Sequence, residues 1–141
     1  IIPEEMKYCV VKLDAKKKAA RLKRYQAIAE SAAKQSKRSR IPVVHDFMTY
    51  RDAMAYAKEC DLCLVPYECA KGMEATKDAL TKIRDAKTIS IMIRPEVGFA
   101  QEEIDAVKDC MQVVSLGSRI LRTDTAAITT MSMVMLATEM Q

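Results

Sequence analysis

The sequence predicts an α/β fold, a mostly parallel sheet with helices on both faces. Three observations carry this. Short continuous apolar runs, Leu62-Cys63-Leu64-Val65-Pro66 and Thr88-Ile89-Ser90-Ile91-Met92-Ile93, have the length and character of strands buried on both faces. Segments of helical periodicity alternate with them. Two strand-like runs also end in glycine-containing loops followed at once by a helix signal. One loop is Ile93-Arg94-Pro95-Glu96-Val97-Gly98-Phe99, and the other runs from Ser115 to Ala126. In open α/β sheets, small ligands bind in the crevice at such strand carboxyl ends.

Taken in order, Tyr8 to Leu13 reads as a short strand. Ala15 to about Ser36 is helical, because Leu22, Tyr25, Ala29, Ala32 and Ala33 recur at spacings of three and four. Asp14 is placed to cap its start. Ile41 to His45 is extended around Pro42. Thr49 caps a second helix carrying Ala53, Met54 and Ala57. Leu62 to Pro66 is a strand, Glu74 to Ala86 a helix, and Thr88 to Ile93 another buried strand. Gln101 to Cys110 is helical, Gln112 to Leu116 a strand, and Asp124 to Met140 a final helix.

The 141 residues suffice for one domain with a real core. Half are apolar and three in ten charged, the balance of a soluble globular chain. No apolar run is long enough for a membrane span. The start has neither a signal-peptide pattern nor an initiator Met, so a single domain truncated at its start is expected. Five cysteines without disulfide-framework spacing suit the cytoplasm. Charge is unevenly placed. Residues 1–40 hold twelve Lys/Arg against four Asp/Glu, and residues 41–141 hold eleven against fifteen. That asymmetry fits a polyanion-facing surface, and equally a solvated helix face.

Other constellations read more simply. Cys60-Asp61-Leu62-Cys63, with Cys69 beyond, has zinc-like spacing but lacks a second ligand pair, so core thiols and no metal are expected. His45, the one histidine, reads as a polar strand end. The last helix, with Met131, Met133, Met135 and Met140, is apolar over most of its circumference. It suits either the core or a subunit interface. No G-x-G-x-x-G and no phosphate-binding loop are present.

The two glycine loops resemble those of the RsmE family, the 16S rRNA (uracil-N3) methyltransferases of the SPOUT superfamily. The family pattern is roughly I-G-P-E-G-G-F, then S-L-G-x-R-I-L-R-x-E-T-A about twenty residues on. Here Ile93 to Phe99 stands for the first, and Ser115 to Ala126 for the second, with Asp124 for Glu. Gln101-Glu102-Glu103-Ile104, Ala33 to Arg38, Arg40-Ile41-Pro42 and Leu64 to Glu68 match further family segments in order.

The resemblance implies a SPOUT-type α/β knot, with the carboxyl-terminal segment threaded as a trefoil. It implies a homodimer joined through the last helix, and an amino-terminal β-barrel RNA-binding domain absent from these residues. It also implies methyl transfer from S-adenosylmethionine to N3 of a uridine in small-subunit ribosomal RNA. On this basis Val65, Pro66, Glu68, Arg94, Glu96, Gly98, Leu116, Gly117, Ile120 and Leu121 surround the cofactor. Arg119 and Arg122 serve catalysis or hold phosphate, and Gln35, Arg38 and Arg40 face RNA. Arg94 and Val97 stand where the family has glycine, and Lys37 replaces another frequent glycine. Two alternatives stay open: a non-catalytic RNA-binding or dimerisation module of the same fold, and a knotted methyltransferase acting on ribose 2′-OH or another base.

Overall fold

A computed structural model of the chain describes residues 1–5, 14–67, 72–93 and 111–140. They pack as two compact units, Ile1–Ala55 and Tyr56–Gln141.

In the first unit, β1 (Glu4–Glu5) runs parallel to β2 (Met48–Thr49), with Glu4 opposite Met48 and Glu5 opposite Thr49. The pairing extends backwards, where the His45 N–H donates to the Ile1 carbonyl at 2.8 Å and the Met48 N–H to the Pro3 carbonyl at 3.0 Å. Helix α1 (Ala15–Gln35) starts where the sequence places it. The Asp14 carboxylate accepts from the Lys17 N–H at 2.8 Å, satisfying one of the first-turn donors. Ala29 and Ala33 are its buried face. Lys18 of α1 forms an ion pair with Glu5 of β1. Gln26, midway along α1, holds the extended 41–45 segment at two points. Its Nε2 donates to the Pro42 carbonyl at 3.1 Å, and its Oε1 accepts from the Val44 N–H at 2.8 Å. Thr49 caps α2 (Tyr50–Lys58) as expected. Its Oγ1 accepts from the Asp52 N–H at 3.2 Å and donates to the Asp52 carboxylate at 2.8 Å.

Helix α1 ends in a turn that normally calls for glycine. The Arg38 N–H reaches back to the Ala33 carbonyl at 2.9 Å and the Lys37 N–H to Lys34 at 3.2 Å, the paired bonds of a Schellman motif. This puts Lys37 in the left-handed region, at φ +57°.

The second unit holds a parallel sheet of order β4-β3-β5: β3 (Leu62–Pro66), β4 (Ile89–Ile91) and β5 (Gln112–Val114). Leu62, Cys63, Leu64 and Val65 of β3 are all buried. Successive residues point to opposite faces, so both faces of this strand are covered, as its unbroken apolar run predicts. On one face, Leu62, Leu64 and Val114 pack with Ala79 and Ile83 of α3 (Glu74–Asp85) and Ala137 of α4 (Thr123–Glu139). Leu64 and Ile83 have no exposed surface; such side chains contribute roughly 1.5–3 kcal/mol each. The strand expected to be buried over 88–93 is shorter and half-buried, because β4 forms the edge of the described sheet. The other edge strand is short as well. β5 ends at Val114, and Ser115 bonds to a helix side chain instead.

At the amino ends of β3 and β4, Asp61 joins two connections. Its Oδ2 accepts from the Lys87 N–H and the Thr88 N–H at 2.9 Å each, and from Thr88 Oγ1 at 3.1 Å. The Asp61 N–H donates to Thr88 Oγ1 in return, at 3.0 Å. These bonds, the Thr88 backbone first, hold the Asp61 carboxyl below the usual carboxylate range.

The expected strand at Tyr8–Leu13 and the helix at Gln101–Cys110 lie outside the described residues. The first glycine loop, from Arg94 to Phe99, also lies outside them. Among the described residues no helix is long and apolar enough to cross a membrane.

Two stability effects are expected. Lys37→Gly should raise stability by roughly 0.5–1 kcal/mol in urea unfolding, since the left-handed penalty outweighs the added unfolded-chain entropy. Asp61→Asn should destabilise the fold at neutral pH. The folded carboxyl titrates below its unfolded value of about 3.9, so the wild-type advantage is complete above that pH. It then disappears as pH falls through the lower folded value, and the two unfolding midpoints should converge in acid.

Candidate active site

Register determines the site. Leu64 of β3 pairs with Ile91 of β4 and with Gln112 of β5, and Pro66 pairs with Val114. The Met92 N–H donates to the Leu64 carbonyl at 2.9 Å, and the Tyr67 N–H to the Val114 carbonyl at 3.0 Å. All three strands point the same way. Their carboxyl ends at Pro66, Ile91 and Val114 therefore open together on one edge of the sheet, where the loops expected to bind a ligand begin.

The 115–122 loop is the best described of these. The Ser115 hydroxyl bridges Gly117, accepting from its N–H and donating to its carbonyl, each at 3.3 Å. Gly117 lies at φ +110°, a conformation that residues with a Cβ rarely adopt. Its own surroundings are open, with no atom within 4 Å of where a Cβ would stand. The glycine is therefore required by backbone conformation and not by crowding. Beyond it the loop faces solvent: Gly117, Ser118, Arg119, Ile120 and Arg122 are exposed, and Leu116 and Leu121 half-buried. Ile120 is 78% exposed, an unusual position for a branched apolar side chain.

Arg122 is the residue preceding α4 and its carbonyl accepts the first helical bond, from the Ala126 N–H at 2.8 Å. Its side chain makes no capping bond. A cation at the positive end of a helix dipole is electrostatically disfavoured and reinforces the attraction for an anion. Asp124 in the first turn offsets part of that charge. Among the described residues neither Arg119 nor Arg122 is in an ion pair.

The remaining expected residues fall as follows. Val65 is fully buried, so its side chain belongs to the core and only its backbone lies along the strand end. Pro66 is half-buried at that end. Glu68, Arg94, Glu96 and Gly98 lie outside the described residues. Gln35, Arg38 and Arg40 are all exposed and cluster at the carboxyl end of α1, in the first unit. Cys63 is a buried β3 thiol, as expected, and Cys60 is half-buried.

Sequence reasoning missed the groups that hold this loop. Thr76, on α3 and buried, bonds both backbone groups of Ser115. Gln112 fastens the start of β5 to the same helix. Its Nε2 donates to the Asp78 carboxylate at 2.7 Å and to the Ala75 carbonyl at 2.9 Å. The Lys82 ammonium, 2.7 Å from the Asp78 carboxylate, and secondarily the Gln112 amide hold the Asp78 carboxyl below the usual carboxylate range. A single threonine or glutamine carries no motif, so no local signal marked either.

Residues 1–135 match the family model described as an RNA methyltransferase domain. The chain belongs to the RNA methyltransferase domain family. It is an RsmE-type domain, as the loop motifs imply. It is 31% identical over 143 residues to ribosomal RNA small subunit methyltransferase E of Bacillus subtilis, covering 99% of this chain and 56% of that protein. Among solved structures it resembles a putative methyltransferase of Legionella pneumophila in complex with bound SAM. The TM-score is 0.81 at 28% identity, over 96% of this chain and 54% of that one. It also resembles ribosomal RNA small subunit methyltransferase E of Neisseria gonorrhoeae bound to S-adenosyl methionine. There the TM-score is 0.71 at 26% identity, over 97% of this chain and 53% of that one. The chain spans about half the length of the curated relatives it matches.

The conformation of Gly117 gives a direct test. Gly117→Ala should cost roughly 1–3 kcal/mol in denaturant unfolding through backbone strain. Because the space around it is open, Gly117→Leu should cost about as much as Gly117→Ala. A much larger loss for leucine would mean that the loop is closed in solution.

Proposed function

We propose that this RsmE-type domain transfers the methyl group of S-adenosylmethionine to N3 of a uridine in small-subunit (16S) ribosomal RNA, in the cytoplasm. The observation carrying this reading is the shared edge at Pro66, Ile91 and Val114, with the Gly117 loop and its two arginines beside it. The names of the full-length relatives and the SAM held by two structural neighbours support it.

The described residues suit this cofactor chemically. Leu116, Ile120 and Leu121 offer apolar surface for an adenine ring and a methionine stem, and Gly117 exposes backbone. Pro66 and the backbone of Val65 border the same edge, and Glu68, Arg94, Glu96 and Gly98 complete the set that the family motifs imply. When bound, S-adenosylmethionine supplies an electrophilic methyl group.

The protein's part is positioning and charge. Uracil N3 becomes nucleophilic when its proton leaves, and a cation beside the ring stabilises the resulting anion. Arg122 takes this role in the present reading, because the α4 amino terminus adds to its positive potential. Arg119, three residues earlier on the exposed loop, holds a flanking phosphate. Gln35, Arg38 and Arg40 contact the RNA backbone, consistent with the excess of basic residues in 1–40. Ile128, Met131, Met135 and Leu136 leave an exposed apolar face on α4, which fits burial against the same helix of a second copy.

Calorimetry with S-adenosylmethionine, and mass spectrometry of small-subunit RNA incubated with enzyme and cofactor, test this reading. Arg122→Ala should lower kcat by roughly a hundredfold or more while leaving cofactor affinity within about twofold. Wild-type turnover by that variant would refute its role, and methylation of a ribose or another base would refute the target.

A further inference from the structure

We propose that Thr76 is a positioning residue for the cofactor loop Leu116–Leu121; this rests on the cofactor reading above. Thr76 bonds in an unusual pattern. Hydroxyls inside helices ordinarily bond the carbonyl one turn back, as Thr130 does to Ala126 at 2.7 Å and Thr81 to Lys77 at 3.3 Å. Thr76 instead reaches a residue 39 positions away. Its Oγ1 accepts from the Ser115 N–H at 3.0 Å and donates to the Ser115 carbonyl at 2.9 Å. One hydroxyl thereby satisfies both backbone groups of Ser115, which face away from β3 at the edge of the described sheet.

Both partners are buried, Thr76 being 3% and Ser115 5% exposed. No solvent molecule can take over these bonds without the backbone moving. Ser115 passes the constraint on, since its own hydroxyl bonds the N–H and carbonyl of Gly117, the left-handed residue at which the loop turns outward. The chain of contacts runs from the α3 core through Thr76 and Ser115 to Gly117. Thr76 acts through Ser115 and sets the direction in which Leu116 to Leu121 leave the sheet.

Three substitutions test this in the full chain. Thr76→Val keeps the shape and removes the hydroxyl, Thr76→Ser keeps the hydroxyl, and Asp61→Asn destabilises the same unit at the opposite, amino-terminal end of the sheet. Titration calorimetry should show S-adenosylmethionine binding weakened roughly tenfold or more by Thr76→Val, and restored to within about threefold by Thr76→Ser. Asp61→Asn should melt earlier yet bind as the wild type does. Without ligand, hydrogen exchange at the Ser115 and Gly117 amides should quicken in Thr76→Val. Unchanged exchange there would overturn the clamp. Equal affinity in Thr76→Val, or equal weakening in Asp61→Asn at the same loss of melting temperature, would overturn its bearing on the cofactor. No binding by the unaltered chain would instead overturn the cofactor reading on which the proposal stands.

Discussion

The second unit depends on the pairing of β3 with a parallel strand on each side. Because Leu62 to Val65 are buried on both faces, the strand can occupy only the centre of its sheet. A slip of one residue would exchange Leu62 and Leu64 with Cys63 and Val65, and would remove leucine from the Ala79–Ile83 surface of α3. Register is thus held by packing as well as by hydrogen bonds. The same register places the ends of three strands on one edge, so core packing and site geometry have a single origin. Asp61 reinforces this arrangement from the opposite end of the sheet, where it joins the start of β3 to the start of β4.

What was legible in the sequence was what rests on local chemistry. The unbroken apolar run announced β3. The spacing of Ala29 and Ala33 announced α1, and Asp14 and Thr49 marked helix starts by residue type and position. The glycine loop at 115–122 was legible because a left-handed residue there needs glycine, and its motif brought the family with it. The pairing of β1 with β2 was not, since two-residue strands carry no periodicity. Nor were Thr76, Gln112 and Asp61, whose partners lie 26 to 39 residues away. Such bonds exist only after the sheet has formed, so no local window holds a trace of them.

The Met-rich helix shows a limit of a different kind. Composition alone left core and interface equally open, and α4 divides between them by face. Thr130 and Ala137 point inward, with Met133 and Val134 against the core cluster, whereas Ile128, Met131, Met135 and Leu136 are exposed. A helix that is apolar all round gives no amphipathic signal from which to separate the two faces. Only the position of α3 decides which side is which. The exposed residues are the face that the homodimer proposed above would bury.

The loop at 115–122 is best understood as a span anchored at both ends on one helix. At its start, Ser115 is held by Thr76 of α3, and the strand leading into it is held to α3 by Gln112. At its far end, Arg122 begins α4, which packs against α3 through the cluster that includes Ala79, Ile83 and Ala137. The loop's conformation is therefore set by the spacing between two attachments on α3, with Gly117 absorbing the turn that this spacing requires. Fixing the ends while leaving the intervening side chains exposed is the economical way to present Arg119 and Ile120 with little conformational freedom to lose on binding. For the methyl transfer proposed above, which relies on alignment of two substrates, that stiffness would matter more than the number of contacts the loop makes. It also explains why an exposed loop needs buried threonine and serine at its root.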